Sequence, residues 1–181
     1  MTQRIFRFTA AAALIAALGA TPPPPPAPVA AYVDDLFGVA AIEGNNAELD
    51  MAQLALQKSR ADETRDFAQR MIDEHTALAQ RFSRVAPAAA ASLPDRENDV
   101  DRLALTRLSA LPAVSFDQEY LTQQIGDHLA TIAVFSAEAE DGHNPDLKSF
   151  AQHELPMLRA HLEEALDMAR HIGGGGPFKG H

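Results

Sequence analysis

The chain has no cysteine and no tryptophan among its 181 residues. Without cysteine it cannot form a disulfide, bind a metal ion through thiolates or carry a lipid on a thiol. No segment shows the alternating, β-branched pattern that is typical of a strand. Most of the 12 prolines and 10 glycines lie near the two ends. The segments between them are rich in Ala, Leu, Glu, Gln and Arg, which favour helix, so the sequence predicts an all-α domain.

The N-terminal segment contains Arg4 and Arg7, followed by an apolar run that is too short to span a bilayer. Small residues follow at Ala17 and Gly19, as at a signal peptidase site. We interpret residues 1–19 as a cleaved export signal, with an uncleaved anchor as the alternative. Export would place the protein in the periplasm or cell envelope, with no transmembrane segment after cleavage.

Basic residues are scarce: the chain has 15 against 25 acidic ones, which gives a net charge of −10. Loss of the signal would remove two of the arginines and make the charge more negative. Such an acidic surface disfavours nucleic acid and anionic lipid as partners. A protein partner or a second copy of the chain stays open.

Composition divides the rest of the chain into three parts. Residues 20–31 contain a run of prolines and are predicted to be an extended linker. Residues 32–172 carry helical periodicity and form the predicted domain. Residues 173–181 are glycine-rich and are predicted to be a flexible tail. The tail is not a phosphate-binding loop, because no strand precedes it and no Lys-Ser/Thr pair follows.

Four long amphipathic segments predict four helices. The first spans about 32–59, and the second follows Asp62 as N-cap and stops before Pro87. The third opens with a capping box from Ser115 to Gln118. The fourth begins with Asn144 as cap and proline next. Short links make two antiparallel hairpins, and the long 87–115 link, with a short helix starting near Pro94, predicts the crossover of a ferritin-like four-helix bundle.

Each predicted helix turns ionisable side chains toward the core. On the first helix Glu43 falls in the middle of a predicted inward face that includes Leu36 and Ala40, with Asp50 at its edge. Because helices rise 1.5 Å per residue, the inward groups of all four helices fall near mid-height. These candidate metal ligands are Glu43, His75, His128, Glu154 and His161.

Two interpretations of this cluster stay open, because buried carboxylates must be paired, protonated or bound to a cation. The residues can form a polar layer that fixes helix register. Alternatively they hold a single Zn, Fe or Cu ion. A di-iron centre is disfavoured, because its Glu-x-x-His motifs are missing: the residues three before the histidines are Ile72, Ile125 and Leu158.

Several local motifs occur together in helices two to four. Their positions are Asp73, His75, Phe116, Asp117, Tyr120, Asp127, His128, Leu155, Pro156, His161 and Leu162. They resemble the bacterial family called domain of unknown function 4142, regarded as exported and ferritin-like. The resemblance covers roughly residues 32–170. It implies the fold and the export signal, and no established activity.

The sequence thus predicts an exported bundle that binds a metal ion through its His/Glu cluster. The alternative is a non-catalytic envelope module whose polar layer is structural, and the third is an oxidase or ferroxidase. No nucleophile elbow or Ser–His–Asp pattern indicates an enzyme.

Overall fold

The computed structural model describes residues 29–87, 90 and 95–173. The predicted signal, most of the predicted linker and the predicted tail beyond residue 173 lie outside these residues. Five helices and no strands are present in the described ranges. They are α1 (Val29–Lys58), α2 (Asp62–Val85), α3 (Asp99–Ala110), α4 (Ala113–Asp141) and α5 (Pro145–Gly173). The all-α prediction is confirmed.

The four long helices form a bundle in which α1 contacts α2 and α4, and α5 contacts α4 and α2. Arg81 of α2 pairs with Glu154 of α5, and Arg70 with Glu164, so these neighbours are antiparallel. Helices α1 and α4 are also antiparallel, because later positions in α1 contact earlier positions in α4. Helices α2 and α4 therefore run parallel, and the link between them returns along the bundle. These helix directions agree with the two hairpins and the long crossover that were predicted from the sequence.

Helix α5 begins where the sequence predicts, after a polar cap. The side-chain Oδ1 of Asn144 accepts hydrogen bonds from the backbone N–H groups of Asp146 (2.9 Å) and Leu147 (3.3 Å), as predicted. Asn98 caps α3 in the same way. That helix was predicted to start near Pro94, but residues 95–98 are not helical and α3 begins at Asp99.

The starts predicted for α2 and α4 are wrong by one or two residues, and α1 begins at Val29, ahead of the start predicted near residue 32. Asp62 is the first residue of α2 and not its cap, since Ala61 holds the cap position without a side-chain hydrogen bond. Helix α4 begins at Ala113, ahead of the predicted capping box at Ser115. Pro112 is its N-cap and has an extended backbone. A proline here stops the helix from extending toward the N-terminus, because the residue before a proline disfavours helical conformation.

The interior contains two apolar clusters separated by a polar layer. One cluster includes Met51, Phe67, Met71, Tyr120 and Leu121. The other is built on four phenylalanines, Phe37, Phe82, Phe135 and Phe150, whose rings meet at centroid distances from 4.9 to 6.4 Å. Between them lie the buried side chains of Asn45, Glu48, His75, Gln124, His128 and His161.

The predicted inward face of α1 is rotated away from the observed one. Leu36 is 52% exposed and Ala40 is exposed, whereas Phe37 is 1% exposed. The buried face passes through Ala41, Asn45 and Glu48, at helical spacing. In the described part of the chain, none of the helices combines the length and the apolar character needed to cross a membrane.

Candidate metal centre

Three histidines from three helices meet in the polar layer. His75 comes from α2, His128 from α4 and His161 from α5, and they are 2%, 1% and 3% exposed. One ring nitrogen of each lies within 4.8 Å of those of the other two. The ring centroids are 5.4 to 5.8 Å apart. The arrangement exists because antiparallel packing brings these three positions to the same height.

The outer nitrogen of each ring is held by a hydrogen-bond acceptor. His128 Nδ1 donates to the backbone carbonyl of Gln124 at 2.9 Å. His161 Nε2 donates to Oε2 of Glu74 at 2.7 Å. His75 Nδ1 donates to Oδ1 of Asn45 at 3.1 Å. A neutral imidazole carries one proton, so each inner nitrogen presents a lone pair.

The inner nitrogens are directed at one another. His128 Nε2 and His161 Nδ1 lie 3.3 Å apart. His75 Nε2 is buried and has no hydrogen-bond partner among the described residues. Lone pairs that face each other repel, and a buried acceptor without a donor costs about 1–3 kcal/mol. A cation among the three nitrogens would remove both costs.

Burial keeps the three imidazoles neutral. It lowers the pKa of His75 well below 6.5, and the neighbouring His128 and His161 lower it further. Burial, followed by the proximity of His161, lowers the pKa of His128 to about 4. Burial also lowers the pKa of His161, although its hydrogen bond to Glu74 opposes the shift. Neutral imidazole is the form that coordinates metal ions.

A second tier of polar groups supports the histidine layer. Oε2 of Glu48 accepts a hydrogen bond of 2.5 Å from Nε2 of Gln124. Oε1 of Glu48 lies 3.3 Å from His128 Nδ1. Burial, and then the charge of Asp127, raises the pKa of the Glu48 carboxyl well above 4.5, which favours its neutral form.

Asn45, Glu48 and Gln124 were missed by the sequence reasoning. A signal was present: Asn45 and Glu48 lie four and seven residues after Ala41, and Gln124 lies four before His128. If Phe37 rather than Leu36 faces inward, helical periodicity also turns Asn45 and Glu48 toward the core.

The two carboxylates proposed as ligands lie elsewhere. Glu43 is half-buried and lines a groove between α1 and α4 together with Asp101. Glu154 is 1% exposed but accepts hydrogen bonds from Arg81 Nε (2.5 Å) and Nη2 (2.7 Å). The structure therefore brings together His75, His128 and His161 and places Glu43 and Glu154 outside their cluster. Asp50, expected beside them, is half-buried next to Glu97.

A model of the family described as domain of unknown function (DUF4142) matches residues 19–168. The chain belongs to this family. All three clustered histidines fall inside the matched DUF4142 segment. So do Phe116 and Tyr120, whose rings stack with centroids 5.8 Å apart in the apolar cluster next to the histidine layer. No curated protein and no solved structure matched the chain.

Proposed function

We propose that this protein binds a single transition-metal ion through His75, His128 and His161. The observation that carries the proposal is the 3.3 Å separation of His128 Nε2 and His161 Nδ1. Neither nitrogen carries a proton, because the proton of each neutral ring lies on its other nitrogen, which donates a hydrogen bond. A hydrogen bond between them would require one ring to give up its outer contact. For His161 that contact is a short bond to a carboxylate, so the change would be costly.

The spacing suits tetrahedral coordination. Zinc binds imidazole nitrogen at about 2.0–2.1 Å, which places two ligands of a tetrahedron roughly 3.3 Å apart. The separation of His128 and His161 already has this value. The third nitrogen lies within 4.8 Å, and a shift of the His75 ring toward the other two would complete the set.

The donor types favour zinc, with copper next. Imidazole suits both metals, whereas the non-haem iron sites with open positions use two histidines and a carboxylate. Among the described residues the cluster contains no carboxylate. Three protein ligands leave a fourth position for water or another small ligand. The acceptors on the outer nitrogens are the kind that orient metal-binding histidines.

A structural polar layer is the second candidate, and a specific observation favours it. The bond between Glu48 and Gln124 joins α1 to α4, and the bond between His75 and Asn45 joins α2 to α1. Contacts of this kind specify register between helices whether or not a metal ion binds. A ferroxidase is weakly supported, because its carboxylate ligands would have to come from outside the histidine cluster.

Export to the periplasm or cell envelope is part of the proposal. It rests on the basic and apolar start of the chain. Expression of the full chain, followed by fractionation and mass determination of the mature N-terminus, tests it. Recovery of the uncleaved chain in the cytoplasm would contradict export.

Metal analysis of protein purified without a histidine tag tests the site. We expect close to one zinc or copper ion per chain, and a higher melting temperature when the metal is restored to stripped protein. The double variant His75→Ala/His128→Ala should lose both. The control His143→Ala, altered at an exposed turn residue, should keep both.

Circular dichroism checks that the double variant remains helical. Wild-type protein that carries no metal and does not change its melting temperature with zinc, copper or iron would leave the structural layer as the explanation.

A further inference from the structure

An apolar groove lies between α1 and α4 on the side of the bundle that carries α3. Asn98 and Asp101, at the start of α3, also line the groove. Its volume is about 440 Å³, which is within the range of small-molecule sites. It is separate from the histidine cluster, because none of the three histidines lines it.

Small residues give the groove its depth. Alanine and glycine line it together with larger aliphatic side chains. Six of these residues are Leu36, Val39, Ala40, Gly44, Ala130 and Val134. Leu36 and Val39 are 52% and 40% exposed. Apolar side chains left in contact with water beside a cavity favour an apolar ligand group.

One end of the groove is acidic. Glu43, Asp101 and Asp127 line it from α1, α3 and α4. Asp101 accepts a hydrogen bond from Asn98 at 2.7 Å, and Asp127 accepts one from Gln123 at 2.9 Å. In the described ranges none of the three is paired with a lysine or arginine. Burial raises the pKa of Asp101, and the charges of Glu43 and Glu97 raise it further.

We propose that the groove binds a small amphipathic organic cation. Its aliphatic or aromatic part lies between α1 and α4, and its ammonium group lies against Glu43, Asp101 and Asp127. The two halves of the site exclude other ligand classes. A fatty acid would match the walls but be repelled by the carboxylates. A metal ion or a hydrophilic polyamine would match the carboxylates but leave the apolar walls in water.

Calorimetric titration with octylammonium tests this proposal, with octanoate and 1-octanol as probes of equal chain length. Nitrogen-15 NMR spectra of the same samples map the residues that respond. We expect saturable binding of octylammonium with shifts centred on Gly44 and Ala130, and at least about tenfold weaker binding of both comparison ligands.

Two variants separate the halves of the site. Glu43→Gln/Asp101→Asn removes charge from the acidic end and should weaken octylammonium binding about tenfold. Ala130→Phe fills the groove and should abolish binding. The matched controls are Glu163→Gln and Ala133→Phe, which alter exposed residues outside the groove and should bind as the wild type does.

Equal binding of octanoate, shifts that map to another surface, or no binding by octylammonium would each overturn the proposal. The result is independent of the metal site, since His75→Ala/His128→Ala protein should bind octylammonium with unchanged affinity.

Discussion

Nε2 of His161 lies 2.7 Å from Oε2 of Glu74, and this contact joins the buried histidine layer to solvent. The His161 side chain is 4% exposed and that of Glu74 is 42% exposed. Of the three acceptors that hold the clustered histidines, Glu74 is the carboxylate. It therefore stabilises positive charge on or near the His161 ring more than a backbone or amide oxygen can.

Glu74→Gln should weaken metal binding by about 10- to 100-fold, the effect typical of removing a group that orients a ligand. The amide can still accept a hydrogen bond from His161, so the fold and the melting temperature of the metal-free protein should change little. Competition titration against a chelator measures the affinity. Glu163→Gln, on the exposed face of α5, is the matched control, and equal affinities in the two variants would contradict a role for Glu74.

Stability of the metal-free protein should depend on pH through His128. Burial lowers the pKa of this residue from 6.5 to about 4. Between these values the unfolded chain binds a proton that the folded chain does not. The contribution of His128 is therefore present above pH 6.5 and is lost as the pH falls toward 4, by at most about 1.4 kcal/mol per pH unit.

Urea unfolding at several pH values, with a chelator present, measures this effect. His128→Gln removes the titrating ring, so its free energy of unfolding should fall less steeply below pH 6.5 than that of the wild type. Glu48, His75 and His161 face the same layer and titrate in both proteins. Because His128 also lowers the pKa of His75, its replacement reduces that shift too, and both changes make the pH dependence of the variant shallower. Parallel pH profiles would show that burial does not depress its pKa.

The orientation of α1 about its own axis determines which of two neighbouring residues, Leu36 or Phe37, belongs to the core. Leu36 was predicted to face inward and is 52% exposed, whereas Phe37 is 1% exposed. Phe37→Ala should cost about 3–5 kcal/mol, because its ring packs against those of Phe135 and Phe150. Leu36→Ala should change the free energy of unfolding by about 0.5 kcal/mol or less. Chemical unfolding of both variants gives the comparison, and similar costs would favour the other phase.

The long helices were predictable because each shows an apolar stripe and has breakers at its ends. The three histidines were predictable as a cluster for the same reason, since their heights follow from helix rise and hairpin order. Helix α1 was harder because alanine occurs on all its faces, so Leu36 and Phe37 suggested different phases. An error of one residue rotates the predicted inward face by 100°, so that Glu43 was assigned to the core in place of Glu48.

Long-range pairing was the other limit of the sequence. Glu154 is buried as expected, but nothing local shows that Arg81, 73 positions earlier, reaches it. Arg81 lies six residues after His75 on α2, on the part of the helix that packs against Glu154 of α5. Its partner is therefore fixed by the antiparallel packing of α2 and α5, which only the fold supplies.

The pair of Arg81 and Glu154 gives a test that separates stability from metal binding. The carboxylate is 1% exposed and the arginine side chain is 31% exposed. Arg81→Met should cost about 2–3 kcal/mol, because among the described residues it leaves the buried carboxylate with His153 as its ion-pair partner. Adding Glu154→Leu removes that unpaired charge, so the double variant should be more stable than Arg81→Met alone.

Unfolding in urea measures these free energies, and metal content is determined on the same samples. Because Glu154 lies outside the histidine cluster, Glu154→Leu/Arg81→Met protein should retain its metal ion while His161→Ala loses it. Loss of metal from the double variant, with its helical content intact, would instead make Glu154 a ligand.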